Sequence, residues 1–193
     1  MNEWQGKRVV IVGLARQGLA LARYLALRGC QLVLNDCRPA GQMLAVKEAL
    51  ADFNGQAGSS IEWIFGGHPL EILDGAEVIF PSGGVSLSIP LLAEARSRGM
   101  LLSNDSQIFL EAAPCPVVGI TGSAGKTTTT TLVGRMARAG HQGGRVWVGG
   151  NIGKPLISHL EEMRPGDLAV MELSSFQLEV MTLSPDIAAV LNI

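Results

Sequence analysis

The stretch VVGITGSAGKTTTTT (117–131) joins a β-branched run to a glycine turn, a lysine and five consecutive threonines. A phosphate-binding loop needs a strand that anchors it, glycines that let backbone N–H groups converge, and a helix N-terminus aimed at the anion. VVGIT supplies the strand, Gly122 and Gly125 supply the turn, and Lys126 starts the helix. This order predicts an α/β fold with a nucleotide site.

The spacing of this loop differs from the Walker A pattern G-x-x-x-x-G-K-[ST], because Ile120 stands where the first glycine belongs. Two interpretations follow from the residues alone: a shorter nucleotide loop, or a helix-capping turn that ends in a surface lysine. In the first, Lys126 reaches the outer phosphates and the Thr127 hydroxyl ligates magnesium.

Short β-branched runs alternate with helical patterns, as in parallel sheets covered by helices. In the first part we predict strands at 7–12, 31–36, 61–65, 77–80 and 100–102, and helices at 18–29, 41–51 and 90–98. In the second part we predict strands at 117–121, 144–148, 167–173 and 186–192, and helices at 126–139 and 155–161.

The prolines of APCP (113–116) predict a domain boundary near 112–116. The predicted fold class is α/β: a Rossmann-like parallel-sheet domain over 1–113, followed by part of a P-loop ATPase-type α/β domain over 114–193. That second domain has only about 80 residues and ends on a buried-looking strand. We therefore expect the chain to be a fragment.

Composition restricts the class of protein. Of 193 residues, 47% are hydrophobic and 17% charged, which predicts a sizeable core and argues against disorder. A net charge of −2 argues against nucleic acid or an anionic membrane as the main partner. Cys30, Cys37 and Cys115 have no metal-site or disulfide-framework spacing, and no apolar run approaches the ~18 residues of a membrane span. We expect a cytoplasmic protein.

The first domain carries GLARQG (13–18), which resembles the dinucleotide fingerprint G-x-G-x-x-G with Ala15 at its middle glycine. Asp36 ends the next strand, at a suitable distance downstream for a ribose contact. The β-carbon of Ala15 restricts the approach of a pyrophosphate, so an ordinary dinucleotide fits less well. A plain tight turn remains the alternative.

Two polar residues of the second domain follow predicted strands. Glu172 can hold magnesium with Thr127 or be an ordinary exposed glutamate, and Asn151 in GGNIGKP can contact substrate or only form the turn. The three histidines have no partners at ligand spacing, and we interpret them as surface or packing residues.

Together these motifs resemble the Mur ligases. That family's loop, T-G-x-x-G-K-[ST]-T, matches Thr121, Gly122, Gly125, Lys126, Thr127 and Thr128, so the resemblance favours the nucleotide interpretation. GGNIG (149–153) and ELSSFQLE (172–179) are also family motifs, and the second is typical of the D-glutamate-adding member. QGKRVVIVGLARQG (5–18) is similar to the family's uridine-nucleotide domain. The resemblance covers the whole chain and is strongest over 117–179.

The resemblance implies an ATP-dependent amide ligase that adds D-glutamate to UDP-N-acetylmuramoyl-L-alanine through an acyl phosphate, in peptidoglycan precursor synthesis, as a monomer when full length. It implies catalytic roles for Lys126 and Glu172 and a magnesium site at Thr127 and Glu172. The implied ATP loop is Gly122, Ser123, Ala124, Gly125, Lys126, Thr127 and Thr128. The implied substrate residues are Asn151, Ser174 and Gln177 at the muramoyl-alanine end, and Arg16, Gln17, Asp36, Cys37, Arg38, Ser82, Gly83 and Gly84 in the UDP pocket.

The chain departs from the family pattern at Ala124, where asparagine is usual, and at Gly83, where proline is common. The family's later aspartate–histidine pair, modified lysine and C-terminal domain are also absent, so we expect the chain alone to lack turnover. The alternatives are another Mur ligase, a ligase like folylpolyglutamate synthetase, or a non-catalytic UDP-sugar-binding module. About 110 residues of α/β pattern before the loop argue against folylpolyglutamate synthetase, which lacks such a domain.

Overall fold

The computed structural model describes residues 3–192, which divide into two compact units. The first ends at Asp105 and the second begins at Ser106. Each unit is built on its own parallel β-sheet with helices. The predicted α/β fold class is therefore confirmed.

In its described residues, the first unit holds a five-stranded sheet and three α-helices. Its strands are β1 (Arg8–Val12), β2 (Gln31–Asp36), β3 (Ser60–Phe65), β4 (Val78–Pro81) and β5 (Leu101–Leu102), and its helices are α1 (Arg16–Ala26), α2 (Leu44–Leu50) and α3 (Pro90–Ser97). All neighbouring strands are parallel, in the order β3-β2-β1-β4-β5. The strand order changes direction between β1 and β4, which places a ligand crevice at their carboxyl ends.

The core of the first unit forms where the apolar central strands meet a helix. Val10 and Val12 of β1 are fully buried and pack in one cluster with Leu91 and Leu92 of α3. Parallel strands covered on both faces read as continuous apolar runs, which is why β1 and β2 were recognisable from the sequence.

The second unit holds a four-stranded sheet. Its strands are β6 (Val117–Thr121), β7 (Val146–Gly150), β8 (Leu168–Glu172) and β9 (Ile187–Val190), and its helices are α5 (Lys126–Gly140) and α6 (Ser175–Leu178), with α4 (Asp105–Ala112) starting at the boundary between the units. The order is β7-β8-β6-β9, again all parallel. Adjacent β7, β8 and β6 bring their carboxyl ends to one edge of the sheet.

The structure differs from the sequence-based elements in three places. Helices α4 and α6 were not predicted, and the helix predicted at 155–161 is only a short 3-10 turn, Leu156–His159. Buried polar residues obscure the apolar periodicity of α4, because Ser106 is fully buried and Gln107 is 5% exposed. Within residues 3–192, no helix is long and apolar enough to cross a bilayer.

The boundary between the units falls after the first residue of α4, Asp105, whereas the prolines of 113–116 predicted it after that helix. The Gln107 side-chain oxygen accepts bonds from the backbone N–H groups of Thr182 (2.9 Å) and Leu183 (3.2 Å). These contacts join α4 to residues far along the chain, which local punctuation does not reveal.

Candidate functional site

The glycine loop follows β6 and leads directly into α5. Gly125 has φ of 80°, in the left-handed region that favours glycine, and none of the described side chains caps the helix there. The Thr129 N–H donates to the Gly125 carbonyl (2.9 Å), so the N–H groups of the first helical turn before it lack helical partners. Such a helix start is suited to bind an anion.

The Lys126 side chain lies across this loop. Its ammonium donates to the carbonyls of Gly122 (2.7 Å) and Ser123 (3.2 Å). An ammonium has three protons, and within the described residues these two carbonyls accept two of them. The cation is therefore held at the loop with one proton free to donate to an anion.

Three predicted residues from separate parts of the sequence meet beside the loop. The Thr127 hydroxyl donates to one carboxylate oxygen of Glu172 (2.8 Å), and the Asn151 side-chain amide donates to the other (3.0 Å). Glu172 ends β8 and is only 2% exposed. The Asn151 N–H also donates to the Glu172 carbonyl (2.9 Å). The carboxylate is therefore oriented from both sides, directly beside the start of α5.

The donor set at this point suits magnesium. A threonine hydroxyl and a carboxylate are hard oxygen ligands, and Mg²⁺ is commonly held by one or two such groups together with phosphate oxygens and water. No cluster of three His, Cys, Asp or Glu side chains that could hold a metal by itself is found in the described part of the chain. Thr127 and Glu172 supply two oxygen ligands of this kind.

The predicted residues Ser174 and Gln177 form the capping box of α6. The Gln177 N–H donates to the Ser174 hydroxyl (3.3 Å), and the Gln177 side-chain oxygen accepts from the Ser174 N–H (2.9 Å). Gln177 is 1% exposed, and its side-chain nitrogen donates to the Ser106 hydroxyl (2.6 Å). Gln177 therefore lies in the interior and orients Ser174, which is half-buried. The partner Ser106 was missed because nothing in the pattern around it signals α4.

In the first unit, the crevice between β1 and β4 gathers the other predicted group. The Ser82 N–H donates to the Val12 carbonyl (2.8 Å), which places Ser82 at the carboxyl end of the central strand pair. A β-carbon on Gly83 would lie 2.8 Å from the Gln17 side-chain oxygen. Glycine at this position therefore makes room for Gln17, which accounts for the departure from proline.

Gln17 also presents a donor to this region. Its side-chain nitrogen is buried and has no hydrogen-bond partner among the described residues. A small cavity of about 10 Å³ lies against Gln17, Ser82 and Phe80. An unpaired buried N–H is costly, so the atom is suited to a ligand or an ordered water.

Asp36 and Arg38 form a tight pair at the end of β2. The guanidinium donates to both Asp36 oxygens (2.8 and 2.7 Å), and the N–H groups of Leu14 (2.8 Å) and Arg38 (3.0 Å) donate to them as well. The Arg38 hydrogen bonds hold the pKa of Asp36 at about 2, against the opposing effect of burial. The Asp36 carboxylate is therefore engaged within the unit, whereas the Arg38 side chain is 42% exposed.

The remaining predicted residues are accessible at the same edge. Cys37 and Arg16 are exposed, and a β-carbon on Gly84 would meet only open space. In the second unit, the Ser123 and Ala124 N–H groups donate to Asn192, a residue that was not predicted for the site. In the sequence, Asn192 is only the last residue of the strand predicted at 186–192, whereas the observed strand β9 ends at Val190.

Two family models match the chain. The model described as the Mur ligase MurD-like N-terminal domain matches residues 7–103, and that of the Mur ligase middle domain matches residues 120–193. Together they cover both units. The combination predicted from the loop and strand-end motifs is thereby confirmed at the level of the family.

Curated relatives match along nearly the whole chain. Proteins named UDP-N-acetylmuramoylalanine–D-glutamate ligase are 37% identical over 100% of the chain in Enterococcus faecalis, and 35% identical over 98% in Acetivibrio thermocellus and 97% in Clostridium botulinum. The chain spans 41%, 39% and 39% of the length of these relatives.

Proposed function

This chain belongs to the Mur ligase family, and we propose that it carries the UDP-substrate-binding and ATP-binding parts of a ligase that joins D-glutamate to UDP-N-acetylmuramoyl-L-alanine. The relatives in Enterococcus faecalis and Clostridium botulinum, which are named UDP-N-acetylmuramoylalanine–D-glutamate ligase, support the choice of substrates. The proposed setting is peptidoglycan precursor synthesis in the cytoplasm.

The observation that carries the proposal is the contact of Thr127 and Asn151 with the two oxygens of Glu172, beside a helix start that is suited to an anion. We propose that Thr127 and Glu172 hold Mg²⁺ there, since both offer oxygen ligands. When bound, the metal neutralises charge on the phosphate oxygens. The hydrogen bond from Asn151 fixes the rotamer of the Glu172 side chain, so its carboxylate keeps one orientation.

The proposed reaction forms an amide in two steps. The alanyl carboxylate attacks the γ-phosphorus of ATP, ADP leaves, and an acyl phosphate forms. The D-glutamate amine then attacks the acyl carbon, and the tetrahedral intermediate expels phosphate. Lys126 and the first-turn N–H groups of α5 donate toward the γ-phosphoryl oxygens, where negative charge increases in the transition state.

The first unit has a positioning role in this proposal. Arg38, Cys37 and the Ser82–Gly84 turn would bind the UDP group, which takes no part in bond making. Binding a remote part of the substrate orients its carboxylate toward the phosphate, and good orientation can lower a barrier by several kcal/mol. Because Arg38 occupies both oxygens of Asp36, that carboxylate is poorly suited to the ribose contact of an NAD site.

Calorimetric titration of the 193-residue chain tests the proposal. We expect separate saturable binding of UDP-N-acetylmuramoyl-L-alanine and of Mg-ATP, and no binding of folates or NAD. Lys126→Ala should weaken ATP binding at least about tenfold, since a charge-assisted hydrogen bond is worth about 1.5–3 kcal/mol, and should leave the UDP-substrate affinity unchanged. Equal loss of both affinities would contradict the assignment of one ligand to each unit. If NAD binds more tightly than the UDP-substrate, the assignment of the first unit to the UDP-substrate is wrong.

A further inference from the structure

We propose that Asn192 is a positioning residue of the phosphate loop, which holds Ala124 through its side-chain amide and so determines which loop N–H groups remain for phosphate. This inference rests on the proposed nucleotide-binding function. It adds a residue that neither the loop motif nor the strand-end pattern indicated.

The amide of Asn192 contacts both backbone groups of one loop residue. Its oxygen accepts from the Ala124 N–H (2.8 Å), and its nitrogen donates to the Ala124 carbonyl (3.2 Å). These complementary bonds also fix which end of the amide is oxygen, because only the nitrogen can donate to a carbonyl. The contact is specific for an amide of this length.

Backbone pairing brings Asn192 to this position. The Leu191 N–H donates to the Thr121 carbonyl (3.0 Å), and the Ser123 N–H donates to the Asn192 carbonyl (3.1 Å). The parallel ladder between β6 and β9 therefore continues past both strands and into the loop. A β-carbon on Gly122 would lie 3.1 Å from the Leu191 β-carbon and 3.2 Å from the Asn192 nitrogen, so the approach is close.

This pairing divides the loop into two parts. The N–H groups of Ser123 and Ala124 are engaged by Asn192, so these two residues contribute no backbone N–H to phosphate. The phosphate is bound instead by the first turn of α5 and by Lys126. The Lys126 ammonium donates to the carbonyls of Gly122 and Ser123, in the part of the loop that Asn192 contacts. Asn192 thus fixes the segment 122–124, whose carbonyls accept hydrogen bonds from Lys126.

The same contact explains why alanine is tolerated at position 124. Asn192 meets only the backbone of Ala124, and any residue except proline supplies the same N–H and carbonyl groups. Asn192 is exposed, so water competes for these bonds. A net hydrogen bond contributes modestly under those conditions, and losing two should weaken nucleotide binding about tenfold without abolishing it.

Amide exchange measured by NMR tests the contact without any nucleotide. In Asn192→Ala, the Ala124 N–H should exchange about tenfold faster, whereas the Ser123 N–H, which bonds to a backbone carbonyl, should change less. Asn192→Asp keeps an acceptor oxygen but cannot donate to the Ala124 carbonyl, and it serves as the matched variant: its Ala124 N–H should exchange at a rate between those of the parent and Asn192→Ala. Unchanged exchange at Ala124 in Asn192→Ala would overturn the proposal, as would faster exchange spread over the whole second unit.

Calorimetric titration with Mg-ATP supplies the second measurement. We expect Asn192→Ala to bind Mg-ATP about tenfold more weakly than the parent chain. Lys126→Ala, which removes the loop ammonium, is the reference for weakened nucleotide binding. If the parent binds and Asn192→Ala binds equally well, the positioning role is wrong. If the parent chain binds no ATP, the proposed function fails, and the exchange rates still decide whether Asn192 fixes the loop.

Discussion

Asp36 is a buried carboxylate whose charged form is stabilised by Arg38 and by two backbone N–H groups. Its pKa of about 2 lies below the ordinary value of 3.8. This stabilisation is therefore present above about pH 4 and is lost as the pH falls through 2. The difference corresponds to roughly 2 kcal/mol. We expect Asp36→Asn to lower the stability of the first unit at pH 7 and to flatten its dependence on pH between 2 and 4.

Urea unfolding followed by fluorescence of the first-unit tryptophans, Trp4 and Trp63, measures this effect over that pH range. Asp74→Asn is the matched control, because Asp74 also pairs with an arginine, Arg98, but is 69% exposed. We expect the control to keep the parent's acid dependence, since exposed ion pairs contribute little. An acid dependence in Asp36→Asn as steep as the parent's would contradict the role of this carboxylate.

Cys37 allows the proposed UDP pocket to be tested chemically. It is exposed, whereas Cys30 and Cys115 are buried, and burial raises the pKa of Cys30 to about 12 and also raises that of Cys115. The thiolate is the reactive form, so we expect one fast thiol in the folded chain at pH 8. Saturating UDP-N-acetylmuramoyl-L-alanine should slow its alkylation, read by mass spectrometry.

ATP is the control ligand for this protection, since its proposed site lies in the other unit and should leave the alkylation rate of Cys37 unchanged. Cys37→Ser should remove the fast phase, which confirms which thiol reacts. An alkylation rate that does not respond to the UDP-substrate would place Cys37 outside the pocket.

The positions of single residues were predictable where a strand end fixed them. Thr127, Glu172 and Asn151 follow or adjoin strands that are recognisable from their apolar runs, and parallel strands bring such ends to one edge. Gln177 shows the limit. Its motif marked it as functional, but its burial depends on Ser106, 71 positions earlier in the sequence. Partners at that separation leave no local pattern.

At the scale of elements, α4 and α6 are joined by one buried hydrogen bond from the Gln177 side chain to the Ser106 hydroxyl. Removing either partner leaves a buried polar group unpaired, which costs about 1–3 kcal/mol. We expect Gln177→Ala and Ser106→Ala each to destabilise the second unit, and the double variant to cost less than their sum.

Thermal unfolding followed by circular dichroism measures these differences. Ser175→Ala is the control, because Ser175 lies in the same helix but is exposed, and its loss should change the unfolding free energy by less than about 0.5 kcal/mol. Strict additivity of the two single variants would show that Ser106 and Gln177 act independently.

Elements were predictable in proportion to their apolar pattern. The strands β1, β2 and β8 read as buried runs, and α5 follows from the loop that precedes it. By contrast, α6 is a four-residue helix defined by its capping box, and it is too short for a periodic signal. The helix expected at 155–161 is only the 3-10 helix Leu156–His159, in which Leu156 and Ile157 are buried.

At the scale of the whole molecule, two α/β units with separate sheets match two family models over residues 7–103 and 120–193. The sequence predicted both units because a glycine turn follows the first strand of each. The boundary was less predictable. The prolines mark the loop 113–116. However, hydrogen bonds between the Gln107 side chain and the backbone of Thr182 and Leu183 join α4 to the second unit.

Binding and turnover should separate in this chain. It spans 39–41% of the length of relatives named as D-glutamate ligases, and amide formation needs groups that deliver glutamate and enclose ATP as well as those that bind the two substrates. Precise placement of reactants can supply roughly 7–11 kcal/mol of a barrier. We therefore expect the 193-residue chain to bind UDP-N-acetylmuramoyl-L-alanine but to release phosphate from ATP no faster with D-glutamate than without it. A phosphate-release assay measures this, and Lys126→Ala gives the rate of release that does not depend on the phosphate loop. Release that depends on D-glutamate and disappears in Lys126→Ala would show that the two described units suffice for the reaction.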